Sequence, residues 1–587
     1  MENRPMLVYG DIRRIERPAT VCAALAAAMV ACTRMPPGLR RHAALVRAFI
    51  ATGELVQGLA DQEFERKGAD DVSKVQEAGA RLLLTHAQAV MQSWQNNFGG
   101  ELLLANAWKS LLEHLDSGEP VQMKETEGFA FYALYPESYL QAALSSQLTS
   151  NTVVIGLRSI GVTLAALVAA ALGSGPAFSL RPTGHPFQRR MQVTAELSGR
   201  ILADPESNFA IVDEGPGLSG SSFGSVADWL EAHGVKPHRL HFFPSHAGEP
   251  GPRASTDQRQ RWRERARYVV SMDDVIIRSP KPVRNLQTWV SELVGVEGVS
   301  WQDLSGGVWR GIHYAKPGDW PPSHIQMEKR KFLMRAGDQS WLIKFAGLSD
   351  AGSNKARRGT LLNEAGFTPD IVGACYGFTV ERWVRGTPAD AADLDRSNII
   401  DQLARYLGFR ARHMSAPNSG ASLDELCHMA VFNVEKARDS EAAGKLRQLI
   451  GNPDRLVRRL RRIDSDNRLH RWEWLVTATG QLLKTDALDH NCAHDMIGCQ
   501  DVAWDVAGAC VEFDLSAVER DRLADIVSQH ADCDLRDDLL TAFEACYLAF
   551  QIGLWTGARN GIPRAETARI DKAAESYLRR LQLLLSG

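Results

Sequence analysis

The chain has no surplus of charge, no disulfide framework and no long apolar run. Its 587 residues carry 67 Lys and Arg against 70 Asp and Glu, a formal charge of −3. So small an imbalance gives no broad electrostatic reason to expect a nucleic-acid partner. Nine cysteines are scattered without the spacing of a stapled secreted domain, which points to a reducing cytoplasm. No apolar run reaches the ~18 to 20 residues that a membrane-crossing helix needs, so no membrane partner is expected. Val21 to Cys32 is apolar but short and alanine-rich, follows Asp11, Glu16 and several arginines, and leads to no cleavage region. It reads as a packed helix rather than a signal peptide. His490, Cys492, His494, Asp495 and Cys499 crowd together, yet their spacing matches no closed zinc pattern. They read as a polar insertion loop.

What is present is ordinary globular composition, 44% hydrophobic and 23% charged, over a length that suits two to four domains. Ala and Leu recur at helical spacing from Val21 through Leu59 and from Val75 to Trp94, and Ser93 to Gly100 reads as a break. Residues 1–125 are therefore expected to form a helical extension that packs on the next domain or makes a homo-oligomer contact. The aromatic stretch Phe129 to Leu144 could line a pocket, but core packing is the expected use. The charged run Arg253 to Arg267 reads as a solvated helix.

The tightest link to chemistry is Phe209 to Phe223, FAIVDEGPGLSGSSF. An apolar strand runs into Asp213 and Glu214, then a loop of glycines and serines, then the amphipathic start of a helix. That places the loop outside the carboxyl end of a strand, where doubly wound sheets bind ligands. The loop glycines allow close backbone approach, and the helix start offers free amides to an anion. The serines add hydroxyl donors, and the two acids can accept from a sugar diol or hold Mg²⁺.

This segment resembles the signature of type I phosphoribosyltransferases. The resemblance implies that Asp213 and Glu214 hold the ribose hydroxyls of phosphoribosyl pyrophosphate or a nucleotide. It also implies that Gly217, Leu218, Ser219, Gly220, Ser221 and Ser222 wrap the 5′-phosphate. The loop is one residue longer than the usual pattern and contains Pro216. A second apolar strand from Val153 enters a tight turn, and Arg158, Ser159 and Gly161 occupy the place of the family's diphosphate loop. His185 to Arg190 lies where such transferases carry a mobile covering element.

Beyond Ile277 the character changes. Ser279 to Pro282 reads as a linker, and from Leu304 come a glycine pair (Gly306, Gly307), a lysine inside an apolar strand (Lys344) and Phe378 to Gly386, a strand running into a connector. A buried lysine needs an anionic partner. The order of these parts resembles the N-lobe of aminoglycoside-phosphotransferase-like small-molecule kinases. The resemblance implies ATP as co-substrate on Gly306, Gly307, Lys344 and Glu381, with Mg²⁺ held by Asp486 and by Glu473 in place of the usual asparagine. Gln500 to Ala507 resembles the family's Gly-Asp-Pro-Ala-Tyr-Asp-Leu-Ala element, in which the second acid, here Asp505, is structural. Two departures stand out. Arg468 falls on the position of the catalytic aspartate, with Asp466 two residues away, and Lys355 and Ala356 stand where the lobe helix should offer Lys344 an acid. A rival register makes Asp486 the catalytic acid and Asn491 the metal ligand. On this register the polar 490–499 loop lies near the nucleotide site.

The expected architecture is thus α/β: a helical extension (1–125), a doubly wound phosphoribosyltransferase-like domain (126–277), a linker (278–300) and a two-lobed α+β kinase-like domain (301–587). The expected function is bifunctional, with phosphoribosyl transfer through Asp213 and Glu214 and phosphorylation of a small-molecule acceptor around Asp486. The alternative is a nucleotide-binding sensor without turnover, in keeping with Arg468.

Overall fold

A computed structural model of the chain describes residues 6–102, 108–416, 420–535, 537–559 and 562–586. Strands β1 (Arg13–Glu16) and β2 (Val121–Lys124) pair antiparallel and bracket the N-terminal helices. Leu39–Lys67 and Lys74–Gln95 are the long ones. Ser73 caps the second by accepting from the amides of Val75 and Gln76, and Gly68, at φ 74°, ends the first in the left-handed conformation that an L side chain resists. Leu39–Lys67 docks on the next unit through Gly53, where a Cβ would lie 1.9 Å from Thr163 Oγ1. By length and composition this helix and 538–557 could cross a membrane, which the sequence reading did not anticipate. Their apolar windows are 78% and 83% buried inside the fold, as core helices are.

The middle unit is a parallel sheet of β3 (Thr152–Leu157), β4 (Phe178–Leu180), β7 (Asn208–Val212), β8 (Leu240–Phe243) and β9 (Ala266–Arg267). Its order is β4-β3-β7-β8-β9. The chain goes outward from β3 to β4, returns to the other side of β3 with β7, and continues through β8 and β9. The direction of winding therefore reverses between β3 and β7, and the crevice of such a sheet opens there. The inserted strands β5 (Thr183–His185) and β6 (Gln188–Arg190) form a separate antiparallel hairpin.

The stretch 278–300, expected as a linker, instead holds the helix Leu286–Val294. Leu286, Trp289 and Val290 are buried, so this segment is built into the core. β10 (Ser300–Asp303), β11 (Lys331–Ala336), β12 (Gln339–Phe345), β13 (Ile371–Cys375) and β14 (Phe378–Arg382) then make an antiparallel sheet in the order β10-β11-β12-β14-β13. The helix Asp350–Glu364 follows β12. A helical lobe completes the chain, with a small sheet of β15 (Thr387–Pro388), β16 (Trp474–Val476) and β17 (Leu482–Lys484) at its cleft edge.

One continuous core joins the N-terminal helices, the middle sheet and the antiparallel lobe, running from Leu25 through Phe129 and Val212 to Phe378. The helical lobe has its own core around Leu403, Trp504 and Phe543. The N-terminal extension is also tied to that distant lobe. Leu7 donates its amide to Asn433 Oδ1 at 2.8 Å, and Met496 donates to the Val8 carbonyl at 3.1 Å.

Candidate functional site

The lobe cleft encloses about 200 Å³. Lys344 points into it from β12, because its neighbours Ile343 and Phe345 face the core on either side. Its ammonium is clamped between Asp486 and Asp489 of the opposite lobe. Burial opposes ionisation of Asp486, but Lys344 and His490 outweigh it and hold the carboxyl well below its ordinary range. Lys355 sits on the lobe helix where an acid was expected. It gives its charge to Asp489 at 2.9 Å and a hydrogen bond to the Ala346 carbonyl at 2.9 Å. The lysine's acids thus come from the other lobe rather than from the helix. Glu381, opposite Leu342 across β12 and β14, is pushed up to about 7 by burial, with Lys344 pulling the other way.

The bend that carries Arg468 is built by Asp505. Its carboxylate accepts the amides of Asp466 at 2.8 Å and Asn467 at 2.9 Å, and Asn467 adopts φ 69°. Asp505 is therefore a brace, and Arg468 is the residue the bend presents to the cleft, paired with Asp495 at 2.9 Å. Asp466 does not itself line the cleft, although its carboxylate lies within 4.8 Å of ligand atoms of Glu473 and His490, which do. It is 1% exposed and enclosed by Tyr406, Lys484, Arg410 and His490; burial is overcome chiefly by Lys484, which holds it at about 2. Asn491, the metal ligand of the rival register, bonds to Asp464 instead.

Glu473 and Asp486 do approach one cation. His490 Nε2 lies 3.9 Å from Glu473 Oε1 and 3.5 Å from Asp486 Oδ2. Burial would strip the imidazole of its proton, but these carboxylates raise it to about 9. Lys484 Nζ also reaches Glu473 at 2.9 Å. Mg²⁺ takes oxygen donors such as these two carboxylates, but the ligand atoms that lie within 4.8 Å of one another here are those of Asp466, Glu473 and His490, with Asp486 outside the group. The ion would compete with His490 and Lys484 for the same oxygens.

Gly306 and Gly307 turn with φ 65° and 81°, but neither lines the cleft. The Gly307 amide donates to Glu328 Oε2 at 2.7 Å, and Trp309 Nε1 donates to Oε1 at 2.6 Å. The long β10–β11 connection is thus folded around its own carboxylate. Arg310 straps it to the C-terminal helix through a buried two-pronged pair with Glu566, at 2.8 and 3.0 Å. Leu342, Leu475 and the Arg382–Val384 connector line the opposite end of the cleft. The 490–499 loop forms part of its wall, as expected. Its side chains scatter: Cys492 to Arg358, Asp495 to Arg468, His494 to Tyr132 and Glu127.

In the middle unit the β3 and β7 loops meet at the switch of winding direction. A Cβ on Gly161 would lie 2.5 Å from the Val212 carbonyl and 3.5 Å from Asp213 Cα, so only glycine admits this contact. Asp213 and Glu214 are partly buried there; desolvation pushes them up to about 7 and 8, with Glu127 adding to the rise at Glu214. Tyr139 donates its hydroxyl to the Asp213 carbonyl at 2.8 Å.

Past them, Gly217 and Gly220 take φ 57° and 69°, and the helix Ser221–Ala232 begins. Among the described residues the amides of Gly217, Leu218 and Ser219 donate to no protein atom. Ser219 and Ser221 give their hydroxyls to the Pro186 carbonyl at 3.2 and 2.8 Å, so the β5–β6 hairpin lies over this loop. Ser222 stands in the first helical turn, and Ser159 accepts from the Val162 amide at 3.3 Å. Arg158 corrects the expectation for the β3 loop. Its side chain has no exposure and is locked to Asp61 at 2.9 Å and to Asp70, both from the N-terminal extension. No charge is left for a diphosphate.

Sequence reasoning missed Asp489, Lys355, Lys329 and the Tyr132–His494 pair. Only Lys355 carried a signal, as a lysine within a helix where an acid was sought.

No protein-family model matches the chain, and no curated protein matches it by sequence. Among solved structures it is similar to a choline kinase from Streptococcus pneumoniae, at 14% identity and TM-score 0.33, over 50% of this chain and 99% of that one. It is similar to a spectinomycin phosphotransferase solved with ADP and spectinomycin, at 11% and 0.32 over 50% and 97%. A Plasmodium vivax ethanolamine kinase aligns at 10% and 0.31 over 50% and 86%. Likeness at these scores adds no weight to the strand order and side-chain geometry above. On that geometry the C-terminal half is a two-lobed unit, with an antiparallel sheet facing a helical lobe across the cleft.

Proposed function

We propose that the C-terminal unit transfers a phosphoryl group from ATP to a small molecule. The observation that carries this is the clamp of Lys344 by Asp486 and Asp489 across the cleft, beside a bend braced by Asp505. Adenine fits between Leu342 and Leu475 against the Arg382–Val384 connector, and Lys344 holds the phosphates. Mg²⁺ on Asp486 and Glu473 would neutralise charge on the phosphate oxygens. In a loose transition state the acceptor hydroxyl keeps its proton until late and sheds it to the transferred phosphoryl oxygens or to water. Such a reaction tolerates Arg468 in place of an aspartate base, and the arginine can instead offset negative charge on the acceptor side.

For the middle unit we propose a site for phosphoribosyl pyrophosphate or a related ribose phosphate, with transfer of the ribosyl group at C1′. The crevice position, the free amides of Gly217 to Ser219 and the neighbouring acids support it. Asp213 and Glu214 accept the ribose hydroxyls, the amides take the 5′-phosphate, and the β5–β6 hairpin covers the ligand.

A second reading, ligand sensing without turnover, is favoured by one feature: Arg468 and Lys484 already neutralise acids around the cleft. Calorimetry with ATP and with phosphoribosyl pyrophosphate, followed by assays for ADP and diphosphate release, tests both. Release of products that Lys344→Met and Asp213→Asn abolish is expected. Tight binding with neither product would favour the sensor, and no binding of either ligand would refute both readings.

A further inference from the structure

The two proposed sites share a wall. It is the segment Thr126 to Tyr132, whose short helix Glu127–Ala130 lies between the acid pair and the lobe cleft. On one face, a Cβ added to Gly128 would sit 3.2 Å from Glu214 Cδ. On the other, Phe131 and Tyr132 line the cleft that contains Lys344 and Asp486. The segment is sewn to the kinase-like unit: Leu348 donates its amide to the Phe129 carbonyl at 3.0 Å, and Lys329 Nζ reaches the Phe131 carbonyl at 3.4 Å.

Tyr132, 40% exposed, stands on the cleft side of this wall. Its hydroxyl bonds to His494 Nδ1, while His494 Nε2 lies 3.1 Å from Glu127 Oε1. Burial raises the Tyr132 phenol, and the charges of Glu127 and Glu214 add to the rise, so Tyr132 lies within electrostatic reach of the acid pair.

The cleft side of this wall has the chemistry to receive a ribosylated ring. Lys329 lies 4.4 Å above the Phe131 ring, and among the described residues no carboxylate lies within ion-pair distance of it. Burial and the like charge of Lys355 lower it to about 7, the situation of a cation awaiting an anion. Across the cleft His470 and Trp472 stack at 4.4 Å between centroids, with Trp555 edge-on at 6.4 Å. A cleft with an aromatic lining suits a flat heterocycle.

We propose that the phosphoryl acceptor is the product of the ribose-phosphate pocket, a nitrogen heterocycle carrying a ribosyl phosphate, handed across the Tyr132–His494 pair. This rests on both parts of the proposed function. In the first step the C1′–O bond to diphosphate breaks, a C1′–N bond to the ring forms, and the ring N–H proton of a purine or pyrimidine leaves with diphosphate or to water, while a pyridine, which has none, becomes a pyridinium. In the second, the Pγ–O bond of ATP breaks and a P–O bond forms to a hydroxyl of the ribosylated compound. ADP departs, and the hydroxyl proton passes to the new phosphate or to water.

The test uses the full chain with Mg²⁺, γ-labelled ATP, phosphoribosyl pyrophosphate and a panel of purine, pyrimidine and pyridine bases. Label should enter an organic acceptor only when phosphoribosyl pyrophosphate and a base are both present. Asp213→Asn should cut that incorporation at least about tenfold, the equivalent of 1.4 kcal/mol. Tyr132→Ala should release the unphosphorylated ribosyl compound into solution. Incorporation that needs no phosphoribosyl pyrophosphate and survives Asp213→Asn would overturn this inference while leaving the kinase reading intact. So would ATP binding without incorporation in any combination. Absence of ATP binding by calorimetry would instead sink the proposed function itself.

Discussion

Asp213→Asn should stabilise the protein, and more so as pH rises. Desolvation raises the Asp213 carboxyl from its ordinary 3.8 to about 7. The folded chain therefore keeps a proton that the unfolded chain loses near pH 4. Where the folded state binds the extra proton, stability falls with rising pH. The penalty is absent below about pH 4, grows between about 4 and 7, and is complete above about 7. A rise of about 3 pH units at about 1.4 kcal/mol each bounds it at about 4 kcal/mol at pH 8, and under about 2 kcal/mol at pH 5. Asparagine keeps a side-chain oxygen and never ionises, so it escapes the penalty. Urea denaturation of wild type and variant at both pH values measures the difference, and taking the difference cancels the titration of distant groups. The gap between variant and wild type should shrink by more than half from pH 8 to pH 5. Glu214→Gln should act in the same direction. The double variant should gain less than the sum of the two, because the repulsion between neighbouring acids is removed only once. A variant no more stable than wild type at pH 8, or a gap that widens toward pH 5, would refute the buried-acid account.

Lys344→Met leaves Asp486 and Asp489 facing each other without their shared cation; ATP turnover should fall roughly a hundredfold or more, read as ADP release. Gly161→Ala forces a methyl to within 2.5 Å of the Val212 carbonyl, so it should displace the acid pair and cost about 1–3 kcal/mol in urea denaturation, with ribose-phosphate affinity lost alongside. Arg310→Met strands a buried Glu566, which keeps only Arg569 at 3.2 Å and the Ser323 amide; a loss of about 3–5 kcal/mol is expected. Adding Glu566→Met should restore most of that loss, and if it does not, the pair is not what holds the strap.

The elements with a strong local pattern were legible in the sequence. The apolar runs before Arg158 and Asp213 are β3 and β7, adjacent and parallel, and the Gly-Ser loop does enter a helix. Lys344 does lie in a strand with acidic partners, and Asp505 does brace the bend before Arg468. Those readings depend on periodicity and turn chemistry over a few residues. Partnerships over long sequence separations were not legible. Arg158 looked free because its acids, Asp61 and Asp70, lie in a helical extension that gave no sign of packing against the β3 turn. The 278–300 stretch looked like a linker because two prolines opened it, yet its amphipathic turn finds a core to bury in.

By itself the amino-acid order determined local features: a strand running into a loop with two acids, a lysine in a strand, and an acid at the end of a hairpin. Those are properties of short segments, where side-chain spacing and backbone preference act locally. Folding in three dimensions decided which charges remain free for a ligand. Arg158 and Asp466 are consumed in ion pairs and the Gly307 amide in a hydrogen bond, while among the described residues the amides of Gly217, Leu218 and Ser219 have no protein acceptor. It also brought Tyr132 and His494, 362 residues apart, into a hydrogen bond on the wall of the lobe cleft. The reason is that a buried charge or amide takes whatever complementary group packing brings within about 3 Å, and sequence distance places no limit on that choice.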